Sequence, residues 1–125
     1  MDTPTNRKIA FPNLIAFSIC FIVFWGWLQL LIDKFVNFGY YDWDLALYAN
    51  AMWNLTQGSL HSSLFGTNFL TNHAEYLSFV LAPFYGFFAH PFFLIVLKLL
   101  SLTAGAYVLY LIARKDLNAP VALLL

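Results

Sequence analysis

Charge is scarce in this sequence. Six Lys and Arg and six Asp and Glu amount to 10% of 125 residues and cancel to a formal net charge of zero, where a soluble domain carries about 25% charged residues. No basic cluster is present to hold phosphates, which excludes a nucleic-acid partner. A single cysteine, Cys20, excludes an internal disulfide and zinc-finger spacing, and in its apolar surroundings it reads as a small packing residue. Internal repeats and low-complexity stretches are also missing. What remains is apolar: 62% hydrophobic residues, 20% aromatics with fourteen Phe, and a mean hydropathy of +0.73. That composition excludes a disordered or collagenous chain and makes a bilayer the natural solvent.

Nothing is charged in residues 9–32, and residues 35–97 contain no Lys or Arg at all. Residues 14–32, LIAFSICFIVFWGWLQLLI, cover roughly 28 Å as a helix, one hydrocarbon core. Pro12 is expected near the helix start, and Trp25 and Trp27 lie where an aromatic belt belongs. The run is too long for a cleaved signal peptide and no small-x-small site follows it, so residues 12–33 read as a retained first span. Residues 92–113, FFLIVLKLLSLTAGAYVLYLIA, read as the second, stopped by Arg114 and Lys115. The basic pairs Arg7-Lys8 and Arg114-Lys115 should both be cytoplasmic, which requires an even number of crossings. Residues 76–89, YLSFVLAPFYGFFA, then form a short interfacial helix; the alternative, a third span, would put Arg114 and Lys115 outside. Residues 34–75 face the extracytoplasmic side in either case.

The chemistry-bearing residues lie in that loop. DLALYANAMWNLTQG has Asp44 as a helix cap and Gly58 as a stop. Asn50, Asn54 and Gln57 share one face and Leu45, Tyr48, Met52 and Leu55 another, the pattern of an amphipathic helix on a membrane surface. Asp42 and Asp44 open it, and Asn72, His73 and Glu75 precede the interfacial helix. A carboxylate at such a surface can act as general base toward a sugar or other hydroxyl acceptor, with a second carboxylate or His orienting it or binding a divalent cation. The donor would be a lipid phosphate. The plainer readings are a capping Asp44, a solvated Asp42 and a hydrogen-bonding His73. Lys98 lies about 9 Å into the second span, either snorkelling outward or facing a cavity and pairing with a lipid phosphate.

The string YYDWDLALYANAMWNLTQG resembles the first-loop signature D-L-G-x-F-x-Q-A-x-W-N-x-x-x-G of the domain-of-unknown-function 2079 membrane family, which is itself similar to the GT-C glycosyltransferases. N-x-x-x-N-H at residues 68–73 and LAPFYGFF at residues 81–88 resemble that family's N-x-x-G-D-H and L-x-P-L-Y-x-L-F-P. The resemblance covers about residues 40–114. It implies an all-α polytopic membrane protein, of which this chain is the amino-terminal portion, with juxtamembrane helices in the first extracytoplasmic loop. It implies transfer of a sugar from a polyprenyl-phosphate donor, with Asp44, aligned through Trp53-Asn54, as the catalytic residue. Ala46, Asn50 and Asn72 stand where the signature has Gly, Gln and Asp, and Asn72 in place of Asp weakens the case for metal.

The expected protein is thus one multi-pass domain of the cell membrane, in contact with lipid and with its amino terminus in the cytoplasm, whose residues 121–125 begin a further span. As an incomplete piece it should be inactive alone. Its candidate site comprises Asp44, supported by Asp42, Asn72, His73, Glu75 and Lys98, with no assigned cofactor. The rival readings are a polytopic transporter and a non-catalytic membrane scaffold. The topology is directly testable. A cysteine at Ser62 or Ser63 should react with an impermeant thiol reagent in intact cells, and one at Asn118 should be protected. External labelling at Asn118 would establish an odd number of crossings.

Overall fold

The computed structural model describes residues 4–40, 43–71 and 75–124. These are mostly helical: α1 (Pro4–Val36), α2 (Trp43–Thr56), a hairpin of β1 (His61–Ser62) and β2 (Thr67–Asn68), a 3₁₀ turn at Phe69–Thr71, α3 (Leu77–Phe87), α4 (Pro91–Ala113) and the single turn α5 (Ala119–Ala122).

Two of these helices are long and apolar enough to cross a membrane, Phe11–Val36 with 26 residues and Pro91–Ala113 with 23. A core helix of a soluble protein would be mostly hidden, yet the most apolar windows here are only 6% and 11% buried. Helices apolar all round and still uncovered fit a lipid solvent. The first helix does not begin near Pro12, as the sequence suggests. It begins at Pro4 and carries Pro12 inside; Pro4 has the position where a missing N–H costs nothing. Helix α3, with 11 residues, is roughly 16 Å long, about half of a hydrocarbon core.

Contacts group the chain into two compact units, Met1–Asp33 with Lys98–Leu125, and Lys34–Leu97. In the first unit α1 and α4 run antiparallel. Asn13 Oδ1 accepts hydrogen bonds from the Arg114 guanidinium and, at 3.4 Å, from the Tyr110 hydroxyl. Phe17 meets Tyr107 edge to face at 5.9 Å. Ala16, Tyr110 and Ala122 bury one another, small residues permitting close helix approach. The turn α5 thus folds back on this cluster through Ala122.

In the second unit Ala49 and Met52 of α2 pack on Ala82 and Tyr85 of α3, with Leu55, Leu81, Phe93 and Leu94 around them. The apolar face that the sequence reading lays on the membrane is therefore partly covered by protein. The opposite face is occupied too. Asn54 Nδ2 donates to the His61 carbonyl at 2.6 Å, and Asn50 Oδ1 accepts the Ser63 N–H at 3.2 Å, so two side-chain amides hold the hairpin on α2. Ser62, on the hairpin, is fully buried and its hydroxyl has no partner among the described residues. Thiol labelling of this loop therefore belongs at the exposed Ser63. The helix ends as its sequence indicates. Gly58 takes φ +73°, Gly58 N–H bonds the Leu55 carbonyl, and Ser59 N–H bonds that of Asn54, the two bonds of a Schellman motif. Helix α4 starts on Pro91, and the His90 Nδ1 accepts the Phe92 N–H at 3.2 Å.

The end of α1 uses the same motif with an unsuited residue. Phe38 N–H bonds the Phe35 carbonyl and Gly39 N–H that of Lys34, which places Phe38, not Gly39, in the left-handed position at φ 53°. Phe38 is 86% exposed, so no packing within the described protein offsets the strain. Phe38→Gly should raise the stability of the purified protein by ~1 kcal/mol, read as a higher Tm in micelles. Phe38→Ala keeps a Cβ in the left-handed region and should give no such gain. Equal shifts from both would mean that the backbone there is unstrained.

Candidate functional site

Helices α2 and α3 position the polar residues that the sequence singles out. Asp44 does not cap α2. The helix begins one residue earlier, at Trp43, and Asp44 falls in its first turn, where a carboxylate is favoured by the unsatisfied N–H groups and the positive helix end. It is exposed to solvent. One turn on, Tyr48 lies on the same side of the helix. Its hydroxyl donates to Glu75 Oε1 at 2.5 Å, and Glu75 stands two residues before α3. The packing of α2 on α3 thus brings one residue from each end of the loop together at a phenol.

Tyr48 is the residue that sequence reasoning missed. Its place among Leu45, Met52 and Leu55 marks it as apolar, and only the fold reveals the carboxylate opposite its hydroxyl. The hydrogen bond to Glu75 is the main reason its phenol is pushed up to about 12; burial adds to this, as do the negative charges of Glu75 and Asp44. Both carboxylates therefore disfavour the phenolate, and Tyr48 stays a donor well above the physiological range. The structure shows no direct bond between Asp44 and Glu75.

The other candidates are distributed as follows. Asp42, Asn72 and His73 lie outside the described residues. Lys98 is exposed on α4, about two turns from its start, and belongs to the other compact unit. Among the described residues no three His, Cys, Asp or Glu side chains gather in a way that could hold a metal ion. A second feature lies on the far flank of α2. Trp53, Leu55, Thr56 and Gln57 face Phe79, Ala82, Pro83 and Gly86 of α3 across an open groove of about 540 Å³. The sequence gives no hint of it, because Trp53 and Phe79 belong to different segments.

The phenol's displacement has a definite sign. A raised folded value means that the Tyr48–Glu75 bond contributes fully below the ordinary phenol value of 10.0 and is lost as the pH climbs toward 12. The tyrosinate absorbance difference between the wild type and Tyr48→Phe should therefore develop near pH 12. In Glu75→Gln the corresponding difference should move down toward 10. A Tyr48 that titrates near 10 in the wild type would show that the bond is not formed.

A family model described as a predicted membrane protein (DUF2079) matches residues 34–125, which takes in α2, both strands, α3, α4 and α5. Searches among curated proteins and among solved structures gave no match. With 92 of 125 residues in the match (34 through 125), the chain belongs to the DUF2079 family of predicted membrane proteins.

Proposed function

We propose that this protein is a multi-pass, GT-C-like transferase component that passes a sugar from a polyprenyl-phosphate donor to a hydroxyl acceptor at the extracytoplasmic membrane face. The observation that carries this reading is the Tyr48–Glu75 hydrogen bond, which sets a carboxylate from the end of the segment against the helix that carries Asp44 one turn before Tyr48. Asp44 comes from the start of the segment and Glu75 from its end, and both influence one phenol. The topology in this reading has the amino terminus and residues 114–118 in the cytoplasm, with α2 and α3 outside. The paired basic clusters support it.

In the proposed reaction Asp44 is the general base. It is exposed on the first turn of α2, so an acceptor can approach it. Its carboxylate takes the proton of the acceptor hydroxyl as that oxygen attacks the anomeric carbon, and the polyprenyl phosphate departs with the electrons of the broken C–O bond. Glu75 is held by Tyr48 and serves as an acceptor for substrate hydroxyls. Asp42, Asn72 and His73 are proposed in supporting roles from the sequence alone. Residues 35–97 supply no Lys or Arg to hold the donor phosphate; Lys98 is the candidate that the sequence offers for that charge. A divalent cation, if used, would draw on these same acidic and imidazole groups.

The test is transfer of radiolabelled sugar from polyprenyl-phosphate sugars in membranes of cells expressing the full-length protein. Asp44→Asn removes the basic group while keeping size, and activity should fall by ~10²–10⁴-fold at unchanged expression. Asp42→Asn should do less. Equal and mild effects of the two would return both residues to a solvated surface and support a transporter or scaffold.

A further inference from the structure

The groove between α2 and α3 is not used by the reaction above. We infer that it is a binding site for a neutral sugar ring. The inference shares only its class of ligand with the transferase reading; binding requires no transfer.

Three properties define the occupant. The first is charge. No Lys or Arg occurs in residues 35–97, and the groove is lined by uncharged residues throughout. A phosphate or carboxylate ligand would find no counter-charge there, which leaves a neutral molecule. The second is the chemistry of the walls. Trp53 is 48% exposed and Phe79 44%, so each helix contributes a partly exposed aromatic ring to the groove wall, and such rings pack against polarised C–H groups. Beside them stands a polar pair, Thr56 and Gln57. Gln57 Nε2 donates to Thr56 Oγ1 at 3.1 Å, which restrains the Gln57 amide and leaves its carbonyl oxygen to accept from a ligand hydroxyl. Apolar faces joined to a fixed amide acceptor match a pyranose, which has C–H faces and a hydroxyl edge. A hydrocarbon chain has no use for the amide.

The third property is orientation. Helix α3 has three faces. Ser78, Ala82 and Tyr85 are buried. Leu77, Val80, Phe84 and Phe87 form an exposed apolar stripe, the face suited to lipid. Phe79, Pro83 and Gly86 line the groove on the remaining flank, about 120° around the helix from that stripe. The groove therefore lies on a different flank of α3 from that stripe. Its volume of about 540 Å³ falls within the usual range of small-ligand sites. Gly86 and the Thr56 methyl bound its narrow part, where a Cβ on residue 86 would lie 3.4 Å from that methyl, in van der Waals contact.

The experiment is saturation-transfer NMR on the full chain in phosphatidylcholine nanodiscs. The probes are the methyl glycosides of glucose, mannose, galactose and N-acetylglucosamine. At least one should give a saturable signal absent from empty nanodiscs. Trp53→Ala should weaken its affinity about tenfold. Gly86→Leu fills the groove with a better helix former and should abolish the signal while circular dichroism stays unchanged. Asp44→Asn should leave binding intact, which separates this site from the proposed catalytic one. Absence of signal from all four glycosides, or equal signals in wild-type and Gly86→Leu discs, would overturn the inference. Wild-type binding together with equal, mild effects of Asp44→Asn and Asp42→Asn on sugar transfer would leave it standing and defeat the transferase reading alone.

Discussion

The contact of α2 with α3 is the constraint on which the whole Lys34–Leu97 unit depends. Two alanines, Ala49 and Ala82, lie in it with Met52 and Tyr85, and small side chains let helix surfaces approach closely. Everything of chemical interest is a by-product of that approach. On one flank it brings Tyr48 to Glu75; on another it leaves the Trp53–Phe79 groove. The remaining face of α2 is taken by the hairpin through Asn50 and Asn54. A bulkier residue at Ala49 would separate the helices and act on the phenol and the groove together, although it lines neither; Ala82 is itself part of the groove wall.

The asparagines show how a polar helix face can be misread. Asn50, Asn54 and Gln57 look solvated when only their spacing is considered. Two of the three satisfy backbone groups of a short hairpin, whose ladder alone is only two residue pairs long. So small a hairpin cannot hold itself together in water, and the amides supply what its own strands lack. Ser62 is buried by this docking, and its unpartnered hydroxyl is a cost that the docking carries.

The parts of the fold set by local chemistry were legible in the sequence. Long apolar runs announce α1 and α4, and Gly58 announces the end of α2 through its left-handed turn. Local chemistry misled where two rules compete. Pro12 resembles a helix start, yet Pro4 starts the helix and Pro12 is absorbed within it. Asp44 resembles a cap, yet an acidic residue is equally at home in the first turn. Of the candidate site, Asp44 and Glu75 could be named from the sequence, since carboxylates are rare in this chain and therefore conspicuous. Tyr48 and the groove could not, because each is defined by residues that meet only when two helices pack.

Tyr48 also separates the roles of the two carboxylates. Glu75 accepts a short hydrogen bond from a phenol that stays protonated far above neutral pH, so part of its accepting capacity is committed to a rigid partner. A group used in this way is oriented and is correspondingly less available to take up a substrate proton. Asp44 acts on the same phenol only through its charge, and among the described residues no hydrogen bond fixes its carboxylate. A general base must reach the proton it removes and be free to bind it. By that criterion the freer carboxylate on the first turn of α2 is the stronger candidate for the base, and the one held by Tyr48 is the stronger candidate for positioning.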